Sequence, residues 1–321
     1  MPARIGVVLA VTRRRVTADD LLALDPELDV RDVGDADGGP VEGVEAAEIF
    51  IGNPSAARTA ELLSRMPRLR WFHAPAAGVD RYVAALGARP DVVLTNTRSH
   101  GLAIGEFVIA TVYAIAKGLG PHRDAQRRQH WAGATPPVAE VAGATLCVVG
   151  LGAIGREVAR LASAVGMRVI GVRRGDGAVP GVSLIVPATR LREVVAEADY
   201  VVLACPLTPQ TRGLIDAAVL TAFKPTAWLI NVARGEVVQQ ALLLDAVRSR
   251  RIGGAAIDVF PEEPLRADNP WWDLENVLLS PHRAASSDRS KAELLRLIAE
   301  NLRRYRRGGA LQNVLDRTAV S

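Results

Sequence analysis

Cysteine is nearly missing from this chain. Among 321 residues only Cys147 and Cys205 are cysteines, and each sits inside an apolar run. They read as buried small hydrophobes. Two such residues can build neither a disulfide framework nor a cysteine-rich metal site. Lysine is almost as scarce: Lys117, Lys224 and Lys291 stand alone, so arginine carries nearly all the positive charge. The formal charge of +4 is mild for this length, and the basic runs (Arg13 to Arg15, Arg127-Arg128, Arg303-Arg304, Arg306-Arg307) are short and scattered. They read as solvated surface, which argues against a nucleic-acid partner. A mild positive field suits a small anionic substrate. Long apolar runs are lacking too. Stretches such as residues 107–116 fall short of the roughly 18 residues that cross a bilayer. The first residues run straight into a strand-like segment, without the basic-then-apolar order of a signal peptide. The expectation is a cytoplasmic protein with no membrane partner and no metal.

What is present is ordinary globular composition, 49% hydrophobic and 23% charged. At roughly 150 residues per domain the length suits two domains. Short β-rich runs alternate with amphipathic stretches. Residues 5–10, 47–52, 69–72 and 92–95 read as strands and 54–64 as a helix, a small α/β unit. Residues 102–117 predict a long helix, too apolar for a surface position and so packed between layers. Then come strand 145–149, helix 153–165, strands 167–172, 200–204 and 228–231, helix 239–250, strands 254–259 and 277–280, and a final helix 288–306. Such alternation implies a doubly wound parallel sheet.

Gly150-Leu151-Gly152-Ala153-Ile154-Gly155 follows a strand and opens a helix. That context turns a weak glycine pattern into a dinucleotide-binding turn. Gly150 permits the tight turn, Gly152 lets the backbone approach a pyrophosphate, and Gly155 lets helix pack on strand. The bland alternative is a plain glycine turn. Where an NAD site places an acid on the ribose, the second strand here ends in Arg173-Arg174. A guanidinium there pairs with a 2′-phosphate, so NADP(H) is the expected cofactor. A solvated arginine pair is the other reading, and Asp176, slightly later, keeps NAD(H) open.

Three strand ends carry the candidate chemistry. Asn231 to Gly235 leaves one, Asp258 to Pro264 the next, and Ser280-Pro281-His282 the last. An arginine, a carboxylate pair and a histidine thus emerge at the edge where parallel sheets bind ligands. The set suits hydride chemistry on a carbonyl. A cation polarises the oxygen, a histidine delivers the proton, and a carboxylate orients the imidazole and favours its charged form. Structural salt bridges are the alternative. The other histidines carry less. His73 and His100 either line a cleft or pack at an element end, and His122 and His130 read as surface. Trp131 serves either a contact between subunits or an anchor within one.

The motifs 149–155, 198–208, 223–235 and 280–282 stand in the order found in one family. Along almost its whole length the chain resembles the D-isomer-specific 2-hydroxyacid dehydrogenases. The resemblance implies an α/β protein of two Rossmann-like domains with doubly wound parallel sheets and a cleft between them. Residues 1–98 with 282–321 would form a flavodoxin-like substrate domain, and 99–281 the dinucleotide-binding domain. It makes Arg234, Glu263 (not Glu262) and His282 catalytic. Cofactor contacts would come from Gly150, Gly152, Ala153, Ile154, Gly155, Arg173, Arg174, Cys205, Pro206 and Asp258. The substrate carboxylate would rest on backbone N–H groups of Ala77 and Gly78, with Arg234. The implied activity is hydride transfer between NAD(P)H and a small 2-oxo or 2-hydroxy acid. Arg173-Arg174 and Pro270-Trp271-Trp272 look most like glyoxylate/hydroxypyruvate reductases. A dinucleotide-sensing corepressor is the alternative within the same family. A homodimer through the nucleotide domains is implied, with residues 118–137 reaching across. Arg283 departs from the family pattern, which commonly has a neutral residue there.

Overall fold

Alternate residues of the first strand, β1 (Ile5–Ala10), feed two different cores. Val8 and Ala10 join one apolar cluster, Val7 and Leu9 the other. A strand buried on both faces must be apolar throughout, which is why it reads as a continuous run. The computed structural model describes residues 4–11, 16–34, 42–87, 89–97, 100–131, 133, 138–175 and 177–315. The described chain divides into two units, 1–100 with 287–321, and 101–286.

In the first unit β1 is followed by α1 (Ala18–Leu24), β2 (Leu28–Asp32), β3 (Ile49–Gly52), α2 (Ala56–Ser64), β4 (Trp71–Ala74), α3 (Asp80–Ala85) and β5 (Val93–Asn96). The sheet order is β2-β1-β3-β4-β5, all parallel. That is the flavodoxin-like order. Leu62, Leu63 and Tyr82 of α2 and α3 cover one face, and Leu21 of α1 the other. Ser55 caps α2 by accepting from the Arg58 N–H at 3.2 Å, so that helix starts after Pro54 rather than on it. The last helix, here α10 (Ser290–Arg306), returns to this unit. It buries Leu294, Ile298 and Leu302 beside Leu21, and its Tyr305 hydroxyl donates to Glu48 at 2.8 Å.

The second unit runs α4 (Gly101–Ala116), α5 (Leu119–Arg127), β6 (Thr145–Val149), α6 (Ala153–Ala164), β7 (Arg168–Val172), β8 (Leu184–Val186), α7 (Leu191–Glu197), β9 (Tyr200–Leu203), α8 (Ala217–Ala222), β10 (Trp228–Asn231), α9 (Gln240–Arg248), β11 (Gly254–Ile257) and β12 (Val277–Leu279). Its seven parallel strands lie in the order β12-β11-β10-β9-β6-β7-β8. Counted from β6 this is the Rossmann order, which reverses between β6 and β9. Helices α4 and α6 cover one face, and α7, α8 and α9 the other.

Two expectations change. Helix α4 is not covered all round: Ile104, Val108, Val112 and Ala116 are buried, while Leu102 and Tyr113 are exposed. The unit boundaries fall at 100/101 and 286/287 rather than 98/99 and 281/282. Arg98 and Ser99 lie outside the described residues. The second shift has a physical reason. The N–H groups of His282, Arg283 and Ala284 all donate to Asp258, which ties the His282 turn to the second unit. Among the described residues no single helix is long and apolar enough to cross a membrane.

Candidate active site

The chain leaves β6 at Gly150, whose φ of +97° suits glycine alone. A Cβ there would lie 2.7 Å from Cys205 Cα, in the turn that follows β9. Gly155 sits in the first turn of α6, where a Cβ would run into the Gly150 carbonyl oxygen. The two glycines let strand, turn and helix close on one another. Gly152 is the N-cap of α6 and brings no capping side chain, and a Cβ on it would project into open space. No acidic side chain stands in that first turn. The first N–H groups of α6, around Ala153 and Ile154, therefore face outward at the switch point, free to receive an anion. The turn fits a dinucleotide pyrophosphate. Burial pushes the Cys205 thiol up to about 11 despite a backbone hydrogen bond, and Cys147 to about 12, so neither is a thiolate at neutral pH. Pro206 beside Cys205 is exposed on the same turn.

At the end of β7 the Arg173 N–H donates to Val186 O at 3.0 Å. Its guanidinium folds back over its own turn, Nε donating to Gly175 O at 3.2 Å. Arg174 is exposed. Neither forms an ion pair with another described residue. Asp176, the alternative for the ribose, lies outside the described residues.

The strand ends of β10, β11 and β12 bring the predicted trio together within the second unit. Asn231 ends β10 and shapes the turn that holds Arg234. Its Oδ1 accepts the Ala233 N–H at 3.0 Å and its Nδ2 donates to Arg234 O at 2.9 Å. Gly235 follows because Phe260 and Pro261 run against it, where a Cβ would clash with their backbone. That contact sets the arginine turn beside the acidic loop. Glu263 Oε1 accepts the Phe260 N–H at 2.9 Å, and Oε2 lies 2.7 Å from His282 Nδ1. Burial works to raise the Glu263 carboxyl. The bonds from His282 and Phe260 and the charges of His282 and Arg234 outweigh it, and the group sits below its ordinary value. Both side chains stay partly open, Glu263 at 36% and His282 at 49%. The pairing through Nδ1 leaves Nε2 as the imidazole edge for a proton in transit. Asp258 is buried, its carboxylate turned toward the His282 loop.

Ala77 and Gly78 lie in the first unit, in the loop between β4 and α3. Their N–H groups donate to no group among the described residues. Asn96, at the end of β5, pins that loop by donating from Nδ2 to Ala77 O at 2.8 Å. His73 is packed in the core, fully buried. Its Nδ1 meets Thr95 Oγ1 at 2.9 Å and its Nε2 meets Thr97 Oγ1 at 3.3 Å. Thr95 Oγ1 also accepts from Trp71 Nε1 at 2.8 Å. Burial pushes the His73 pKa down to about 3. A histidine neutral in the fold but charged near pH 6.5 when unfolded contributes stability above pH 6.5 that fades as pH falls toward 3. At pH 5 the loss is about 2 kcal/mol. Urea unfolding of wild type and His73→Gln at pH 7.5 and 5.0 checks this. The wild type should lose about 2 kcal/mol more than the variant between the two pH values, and equal losses would rule it out.

With this geometry in place, the comparisons are specific. The family description "D-isomer specific 2-hydroxyacid dehydrogenase, NAD binding domain" matches residues 109–284. A glyoxylate reductase of Korarchaeum cryptofilum is 32% identical over 288 residues, 87% of this chain and 86% of that one. The chain belongs to the D-isomer-specific 2-hydroxyacid dehydrogenase family. Among solved structures, a D-isomer-specific 2-hydroxyacid dehydrogenase from Xanthobacter autotrophicus in complex with NADPH and MES is 31% identical, with a TM-score of 0.84 over 99% of this chain and 100% of that one. An NADPH-dependent glyoxylate/hydroxypyruvate reductase from Sinorhizobium meliloti, in complex with NADP and sulfate, is 26% identical, with the same TM-score and the same coverage. This dehydrogenase is therefore an oxidoreductase acting on a CH–OH group, and its second unit is the dinucleotide-binding one. Sequence reasoning gave no role to Asn231 or Asn96. An asparagine three residues before an arginine at a strand end is a capping signal that could have flagged Asn231.

Proposed function

We propose that this dehydrogenase is a glyoxylate/hydroxypyruvate-type reductase that works with NADPH on a small 2-oxo acid. The observation that carries the reading is the Glu263–His282 pair at 2.7 Å, with the Arg234 charge acting on the same carboxylate. The arginines at 173 and 174 and the names of the relatives support the finer choice. A reduced dinucleotide held by its pyrophosphate at the glycine turn would supply the hydride for C2 of the acid. Arg234 holds negative charge on the substrate and polarises the carbonyl oxygen. His282 delivers a proton from Nε2 to that oxygen as the alkoxide forms. Glu263 holds the imidazole through Nδ1 and fixes its orientation. Within the first unit, the unengaged N–H groups of Ala77 and Gly78 are suited to donate to a carboxylate. The complete trio, together with relatives named for their activities, favours an enzyme over a dinucleotide-sensing corepressor. Consumption of NADPH by a panel of 2-oxo acids, glyoxylate and hydroxypyruvate included, tests the reading. Turnover of neither would overturn it.

The same reading includes a homodimer, for which a closed two-fold arrangement is the common form. Trp131 is 95% exposed, so it packs into no core among the described residues. Leu119 of α5 is half exposed, and Phe107, Ala110, Ala114 and Leu278 line an apolar groove beside α4. A second copy is the occupant we propose for these surfaces. Light scattering should give twice the mass of one chain at micromolar concentration, and a monomer there refutes it. We place the enzyme in the cytoplasm, where its two buried thiols stay reduced. Recovery in the membrane or secreted fraction would contradict that placement.

A further inference from the structure

Asp258 stands among the residues expected to touch the cofactor, yet its carboxylate is engaged by the protein itself. It is 4% exposed. Its Oδ1 accepts from Ser280 Oγ at 2.5 Å, from the Arg283 N–H at 2.7 Å and from the Ala284 N–H at 3.2 Å. Its Oδ2 accepts from the Ala284 N–H at 3.0 Å. The backbone of Asp258 is tied on both sides. Its N–H donates to Asn231 O at 3.0 Å, and its carbonyl accepts the His282 N–H at 2.9 Å. Asn231, fully buried, caps the Arg234 turn from the other side. One acid and one amide thus join the ends of β10, β11 and β12, from which the trio emerges.

The turn so held is unusual. His282 sits at φ +54°, in the left-handed region. A residue with a Cβ persists there only when its surroundings fix it. Here they do: the N–H groups of residues 282, 283 and 284 all end on Asp258. We propose that Asp258 is a positioning residue, which holds His282 in its left-handed turn and so aims the imidazole at Glu263. Its charge matters because several donors converge on one carboxylate. An amide in its place would remove the charge and set a donor against at least the Ala284 N–H.

This inference rests on the reading of His282 as proton donor, and its test keeps the two apart. In the full-length enzyme Asp258→Asn is expected to lower kcat with saturating NADPH and 2-oxo acid about tenfold or more, as misplaced catalytic groups do. The Kd for NADPH should stay within about threefold. The proton resonance of His282 Nδ1–H, identified by its loss in His282→Ala, should shift or vanish in Asp258→Asn. Ser280→Ala removes a single donor from the cluster; a kcat about threefold lower and a shifted resonance are expected. Wild-type kcat in Asp258→Asn overturns the proposal. So does a tenfold weaker NADPH Kd with kcat preserved, which would make Asp258 a cofactor ligand. If Asp258→Asn fails to fold, Ser280→Ala decides, and unchanged kcat with an unshifted resonance sinks the idea. A His282→Ala enzyme that stays active refutes the proton-donor reading itself. An inactive one beside an active Asp258→Asn refutes the positioning role alone.

Discussion

His282→Ala is expected to cut turnover of a 2-oxo acid by ~10²–10⁴-fold, the usual worth of a positioned general acid. Its Kd for the dinucleotide should stay within about threefold, because the glycine turn and the strand end at Arg173 are untouched by the change. The expectation follows from geometry. The imidazole is held at Nδ1 by Glu263 Oε2 at 2.7 Å, which leaves its other nitrogen for the substrate. Glu263 keeps its charge below the ordinary carboxylate range, because hydrogen bonds from His282 and Phe260 and two neighbouring cations outweigh its burial. The pair therefore persists on the acid side until pH falls below the usual glutamate pKa. Steady-state kinetics of the variant beside a dinucleotide titration separates chemistry from binding. Activity within threefold of wild type would remove His282 from the proton-donor role.

How much of this was readable beforehand depended on how local each signal is. The glycine turn was legible because Gly150, Gly152 and Gly155 lie within one strand–helix corner. Interior strands were legible because β6 and β9 are buried on both faces and so apolar throughout. The edges were not. β2 reads Leu-Asp-Val-Arg-Asp with one fully buried residue, and β8 has three residues, so both resemble loop. Edge strands are kept short and polar because an exposed edge would otherwise pair with other chains. Helix α4 read as packed between layers because the run is apolar, but composition does not say which side stays open. Hydrogen bonds between distant residues were the least legible. Asp258 meets Ser280, Arg283 and Ala284 across 22 to 26 residues of chain. No local pattern says which donors a buried acid will find, so Asp258 could be placed at the right strand end but not given its partners. The boundary expected at 281/282 missed for the same reason, since His282 stays with the unit that holds its N–H.

The second large effect concerns cofactor choice. NADPH should be preferred over NADH by at least about tenfold in kcat/KM, because one charge-assisted hydrogen bond at the ribose is worth ten- to a hundredfold in affinity. The glycine turn fixes the pyrophosphate at the start of α6, so the adenosine ribose must fall near the end of the next strand, β7. That end carries Arg173 and Arg174, with no carboxylate paired to either among the described residues. Arg173 is the better placed of the two. Its Nε bond to Gly175 O braces the guanidinium over the turn, so less side-chain freedom is lost when a phosphate arrives. Arg173→Ala should therefore remove most of the preference and leave NADH use little changed, whereas Arg174→Ala should remove less. The effect should shrink as salt rises, because a pair near the surface is screened. Kinetics with both cofactors at low and high ionic strength checks all three statements. Equal use of NADH by the wild type would turn the arginines toward another task and return the ribose to Asp176.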